Sequence, residues 1–193
     1  MCVCPDGDFF KSLHAGRADV ATGLISTLTP TSILLQTGQS LPADIIITAT
    51  GLKIQMCGGA RLTVDKHPIR IADKFVWKGI MLQDVPNCGL FVGYTNASWT
   101  LGADASAQHL CRILKRMRDQ GNGAVVPRLE HPEALKTLPL LNLNSTYLKR
   151  AEGTLPKAGD KAPWRPRANY FADLIQAKVG DITTGLQSYR TTA

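Results

Sequence analysis

The chain has 193 residues, 44% of them hydrophobic, and a formal charge of +7. That is enough apolar sequence for the core of one domain, or of one domain with appended pieces, and it excludes a disordered chain. No run approaches the roughly 18 apolar residues of a membrane span, and Met1-Cys2-Val3-Cys4-Pro5-Asp6 lacks the basic start and apolar stretch of a signal peptide. A cytoplasmic protein without a transmembrane segment is therefore expected.

The five cysteines, Cys2, Cys4, Cys57, Cys88 and Cys111, are odd in number and form no CxxC pair. They are expected as buried thiols, not as disulfides or zinc ligands. His14, His67, His109 and His131 show no ligand spacing, so no metal site is expected. The positive charge invites a phosphate-bearing partner, yet Arg112, Lys115, Arg116 and Arg118 fall late in one helix, where cations complement the negative end, and the other cations are spread through the tail. With no helix-turn-helix, RRM or zinc-finger pattern beside them, we expect a solvated basic face and no nucleic-acid partner.

In chain order, the first element is a short helix from Asp8 to His14, with Asp6 or Asp8 as its cap and Gly16 as its stop. Three strand candidates follow, Val20–Leu28, Ile33–Gln36 and Asp44–Thr48, separated by Pro- and Gly-bearing turns, which together read as a β-meander. Ile45-Ile46-Ile47 is continuously β-branched, so the third strand is expected to be buried on both faces. Its end, Ala49-Thr50-Gly51, is small enough for close approach to another backbone or a ligand, although the residues alone favour a plain tight strand end. Weaker strands are expected at Leu62–Val64 and Ile69–Ile71, with Lys66-His67-Pro68 as the turn between them, and an extended piece from Phe75 to Leu82.

Val85–Met117 is the stretch that reads as a site. Gly89-Leu90-Phe91-Val92 is a short apolar run, expected as a buried strand ending at Gly93. A helical period follows, with apolar side chains at Ala103, Ala107, Leu110, Cys111, Leu114 and Met117. Between them lies the polar turn Tyr94-Thr95-Asn96-Ala97-Ser98-Trp99-Thr100, leading into a helix start whose first N–H groups have no helical partner. Ser98 or Thr100 can cap them and Asp104 suits the positive end, but a helix start beyond a strand is also where α/β proteins hold anions. Gly121-Asn122-Gly123 stops the helix. The GxGxxV string that begins there is no nucleotide loop, because it follows a helix and runs into Pro127. From Pro127 the chain becomes a loop-rich arm, regaining helical period over 169–179, with Trp164 and Tyr170 either as anchors over another surface or filling the edge of the local core.

Three stretches together resemble the class B flavoprotein monooxygenases, the flavin-containing and Baeyer–Villiger group, and look nearest to its ethionamide-activating type. They are ADIIITATGL at 43–52, VPNCGLFVGYTNASWTLGAD at 85–104 and LPKAGDKAPWRPRANY at 155–170. The resemblance implies only the C-terminal part of such an enzyme, since both GxGxxG fingerprints and the motif between them are missing. It implies an α/β fold, the C-terminal portion of a fold with two dinucleotide-binding domains. Residues 1–50 would close the NADPH domain with its β-meander, 51–125 would finish the FAD domain, and 126–193 would form a C-terminal extension with a helix.

In that family NADPH reduces FAD, and a flavin C4a-peroxide oxygenates ketones or sulfur or nitrogen centres. Carried over by position, Thr95, Asn96, Ala97, Ser98, Trp99 and Thr100 would face the flavin, while Thr50 and Gly51 would mark the crossing between domains near the dinucleotide. A helix N-terminus aimed at reduced flavin would stabilise its charge by roughly 0.3–2 kcal/mol. No residue is named as catalytic acid, base or nucleophile. The chain alone is expected to be inactive and to need the missing N-terminal half. The other readings are a non-catalytic basic binding module or remnant, and a piece that does not fold stably by itself.

Overall fold

The computed structural model describes residues 4–142 and 145–190, and Cys2 lies outside them. The chain divides into two compact units, Met1–Gly51 and Leu52–Ala193. The fold is mixed α/β with small sheets, and every ladder between its named strands is antiparallel.

In the first unit, α1 (Asp8–His14) has its cap at Gly7, whose left-handed φ of 64° turns the chain into the helix. Neither Asp6 nor Asp8 caps it, because no side chain accepts from the backbone N–H groups of its first turn. Strands β1 (Ile25–Leu28), β2 (Ser32–Leu35) and β3 (Ser40–Pro42) form the meander in that order. The first turn is held by Thr29 N–H donating to Ser32 O at 2.8 Å, and the second uses Gly38 at φ 87°.

The third strand is not where the isoleucines are. No strand forms over Asp44–Thr48, and Ile45 and Ile47 are 82% and 87% exposed. A strand buried on both faces needs neighbouring strands and a layer over each face, and no described strand pairs with this segment. High β-propensity alone therefore leaves it without regular structure and exposed.

The second unit is built around the hairpin of β6 (Val76–Trp77) and β7 (Met81–Leu82). Lys78 and Gly79 both have positive φ, 48° and 70°, and with Ile80, whose N–H donates to Trp77 O at 2.9 Å, they form the three-residue loop of the hairpin. The register pairs Val76 with Leu82 and Trp77 with Met81, so each pair shares one face. Trp77 and Met81 pack with Phe75, Ile80, Ile113, Val125 and Trp164. Val76 and Leu82 join Val85, Leu90, Leu140 and Ala158 on the other face. A smaller hairpin, β4 (Thr63–Val64) and β5 (His67–Pro68), turns at Asp65 and Lys66 with φ of 49° and 67°. His67 and Pro68 are thus strand residues, and the strand expected over Ile69–Ile71 gives way to a 3-10 turn at Ile71–Asp73.

The expected strand at Gly89–Val92 is also absent. Only an isolated bridge joins Met81 and Gly89, and Leu90 N–H donates to Ile80 O at 2.7 Å. Leu90 is buried but Phe91 is exposed, so one side of this run lacks a cover.

Helix α2 (Trp99–Gln120) ends at Gly121 in a left-handed cap, φ 65°. It buries Gly102, Ala105, Ser106, His109 and Ile113, a stripe of mostly small side chains that admits close neighbours. The apolar stripe legible in the sequence lies to one side. Leu110 and Met117 reach the core, but Cys111 is exposed and Leu114 is 61% exposed. The thiols are not buried as expected: Cys4, Cys57 and Cys111 are exposed and Cys88 is half-buried.

The C-terminal region is part of this core, not an arm laid over another surface. Strand β8 (Asn122–Pro127) pairs with β11 (Leu186–Arg190), and β9 (Thr137–Pro139) pairs with β10 (Lys157–Gly159). Trp164 is buried edge-on against Phe75, with ring centres 6.4 Å apart. Helix α3 (Thr146–Arg150) is short. Helix α4 (Tyr170–Val179) is capped by Asn169, whose Oδ1 accepts from Phe171 and Ala172 N–H, and it packs on α2.

Candidate functional site at the start of the long helix

Two glycines determine how the chain enters α2. A Cβ on Gly102 would lie 2.7 Å from Gly93 Cα, and one on Gly93 would lie 2.3 Å from Trp99 Cδ2. Both are closer than a real Cβ tolerates, so the approach backbone and the first helical turn touch directly through glycine.

Ser98 occupies the cap position with φ −57° and ψ 134°, yet no side chain caps the helix. Its Oγ lies 2.7 Å from Thr100 Oγ1 instead. Asp104 does not serve the helix end either, since its Oδ2 accepts from Gln108 Nε2 at 2.7 Å. A 22-residue helix thus presents its positive end without a side-chain cap or a first-turn acid.

Of the residues singled out from the sequence, Thr95 and Asn96 line a cleft of about 300 Å³ with Gly93, Leu140, Leu141 and Arg167. Ala97, Ser98, Trp99 and Thr100 are exposed beside it, Trp99 to 52%. Asn96 Nδ2 donates to Ala168 O at 3.3 Å, tying the turn to the segment before α4. Thr50 and Gly51 belong to the other unit, where both are exposed and Gly51 has φ 85°.

Arg167 and Asp173, behind the turn, carry no mark of this role in the sequence. Arg167 Nη1 donates to Val92 O, Gly102 O and Ser106 Oγ at 3.2, 3.0 and 2.7 Å. Tyr94 donates its hydroxyl to Asp173 Oδ2 at 2.6 Å, and burial, followed by that bond, pushes its pKa up. These partners are more than 60 positions apart in sequence, and Arg167 stands out there only as one cation of the tail and a member of the 155–170 stretch. The one available sign was its place between Pro166 and the helix that Asn169 caps.

His109 is buried against Trp77, with ring centres 5.8 Å apart, and its Nε2 has no hydrogen-bond partner among the described residues. Burial first, then the Lys78, Arg112 and Arg167 cations, lowers its pKa to about 4. It is therefore a neutral core residue near pH 7. Arg112 is not a free surface cation: it donates to Gln176 O, Ala177 O and Gly180 O at 3.2, 2.9 and 2.9 Å, closing the end of α4. Among the described residues no group of three or more His, Cys, Asp or Glu side chains is arranged to hold a metal, and no helix is long and apolar enough to cross a membrane.

No protein-family model matches the chain, and no solved structure matches it. Curated proteins do. The chain is 47% identical over 175 residues to the FAD-containing monooxygenase EthA of Mycolicibacterium smegmatis, a match covering 90% of this chain and 35% of that protein. It is 43% identical over 173 residues to the Acinetobacter baylyi protein named probable FAD-binding monooxygenase AlmA, again over 90% of this chain and 35% of the relative. The Mycobacterium tuberculosis FAD-containing monooxygenase EthA is 42% identical over 183 residues, 94% of this chain and 37% of that one. The chain thus spans little more than a third of the length of these relatives. Over nine-tenths of its own length, it is a homologue of the FAD-containing monooxygenases.

Proposed function

We propose that the chain is the C-terminal part of an FAD- and NADPH-dependent monooxygenase acting on ketones or on sulfur or nitrogen centres. Residues 1–50 close its NADPH domain, 51–125 finish its FAD domain and 126–193 form its C-terminal extension. Thr95, Asn96, Ala97, Ser98, Trp99 and Thr100 form the flavin-facing wall, and Thr50 and Gly51 lie at the crossing between domains. The observation that carries this reading is the helix start at Trp99, which no side chain caps and which is approached through Gly93 and Gly102.

The residues present fit part of the cofactor. Backbone donors at a positive helix end suit an anionic edge, and a cleft of about 300 Å³ lies at the lower limit of small-molecule sites, too small for a whole dinucleotide. FAD, when bound, supplies the oxygen-activating chemistry. This chain's contribution is to orient it with fixed dipoles at 95–100 and to shield one side. The chain carries no glycine-rich loop after a strand to cradle a pyrophosphate, so by itself it is inactive. The binding-module alternative loses one of its cations, because Arg112 is committed to α4.

The test is flavin absorbance after gel filtration, with the chain alone and with the remaining N-terminal two-thirds of M. smegmatis EthA supplied as a separate polypeptide. We expect no stoichiometric flavin on the chain alone, and bound flavin with NADPH oxidation in the complemented sample. Flavin and NADPH turnover by the chain alone would overturn the inactivity. Loss of neither flavin nor turnover when Thr95–Thr100 is replaced by glycines in the complemented protein would overturn the wall.

A further inference from the structure

We propose that Arg167 is a positioning residue for the Tyr94–Thr100 turn, a role that rests on reading that turn as the cofactor-facing wall. Its Nη1 shares two hydrogens among three acceptors: Val92 O, just before the turn, and Gly102 O and Ser106 Oγ, in the helix after it. One planar cation therefore ties together the two ends of the turn. Ser106 Oγ itself donates to Gly102 O at 2.8 Å, which completes a closed set of bonds at the first helical turn.

The rest of the side chain is held equally closely. Nε lies 3.6 Å from Asp173 Oδ2, the same oxygen that accepts from the Tyr94 hydroxyl, and the guanidinium stands 5.3 Å from the Tyr94 ring centre. A Cβ on Gly79 would meet Arg167 Cδ at 2.3 Å, so the β6–β7 turn leaves room for this arginine only because it carries glycine there. With 9% of the side chain exposed, these are desolvated, charge-assisted bonds and not surface contacts. A lysine at this place keeps the charge but has no planar fork to span the acceptors. Arg167 engages only acceptors, two carbonyls, a hydroxyl and the Asp173 carboxylate, so it fixes the backbone while leaving the helix-start N–H donors available to an anion.

The experiment uses the full chain labelled with 5-fluorotryptophan, whose three tryptophans report separate places: Trp77 and Trp164 in the core and Trp99 at the turn. Trp99→Phe assigns its signal. In Arg167→Lys and Arg167→Met the Trp99 fluorine signal should shift or broaden, more in the latter, while Trp77 and Trp164 stay in place. Amide hydrogen exchange over 103–106, whose N–H groups bond back to the first turn of α2, should quicken at least about tenfold, the factor expected from losing a charge-assisted bond. Ser106→Ala, which keeps the arginine and removes one acceptor, should give a smaller Trp99 shift. An unmoved Trp99 signal overturns the proposal, and so does a common movement of all three signals, which would make Arg167 a support of the whole core. A selective Trp99 response in a complemented protein that binds no flavin upholds the positioning and sinks the cofactor reading of the turn.

Discussion

The hairpin Val76–Leu82 and the isoleucine run Ile45–Ile47 are both short, apolar and rich in strand-forming residues, yet Trp77 is fully buried while Ile45 and Ile47 stand in solvent. The hairpin finds its partners inside one unit: a three-residue loop pairs it, and residues from α2, β8 and the segment around Trp164 cover one face. Among the described residues the isoleucine run finds no strand on either edge. Strand propensity is a statement about fitting a half-buried pleated surface, and without that surface it yields an exposed segment with no regular structure.

The sharpest way to break the contrast is to remove the hairpin's centre. Trp77→Ala deletes a fully buried ring and its Nε1–H bond to Thr184 O at 2.8 Å, and should cost about 3–5 kcal/mol in urea unfolding followed by near-ultraviolet dichroism. A smaller effect comes from His109, which packs on that ring. Its folded pKa of about 4 lies below the ordinary value of 6.5. The unfolded chain therefore binds the extra proton first, and stability present above pH 6.5 is lost as pH falls toward 4. Wild type should lose about 1–3 kcal/mol over that window, and His109→Gln should flatten this part of the profile. At the other end of the scale, Ile45→Thr with Ile47→Thr should change unfolding free energy by less than about 0.5 kcal/mol, because neither side chain is buried. A loss as large as that of Trp77→Ala would show a hidden core at the isoleucines and end the contrast.

Local signals were legible in the sequence, and long-range ones were not. The Asp8–His14 helix and the stop of α2 at Gly121 follow from neighbouring residues, and both are found where expected. The meander was readable as three strands and two turns, but its third member is Ser40–Pro42, a segment with no apolar run to announce it. In α2 the period was right and the face was not: the buried stripe runs through Gly102, Ala105, Ser106 and His109, whose small or polar side chains carry little weight in an apolar pattern. At the site, the turn could be marked from its composition, but the Gly93–Gly102 contact and the Arg167 ties depend on backbone paths that meet only in three dimensions.

On the proposed reading, the isoleucine run and the uncapped helix start are both surfaces that the rest of a longer polypeptide would cover; the relatives matched are nearly three times as long as this chain. Amide hydrogen exchange by mass spectrometry, with and without the N-terminal two-thirds of M. smegmatis EthA as a separate polypeptide, tests this most directly. The account predicts near-unprotected exchange at Ile45–Ile47 in the chain alone, strong protection over Val76–Leu82, and new protection at both Ile45–Ile47 and Thr95–Thr100 once the complement is added. Protection of Ile45–Ile47 in the chain alone, or no change at either segment in a sample that has taken up flavin, would contradict it.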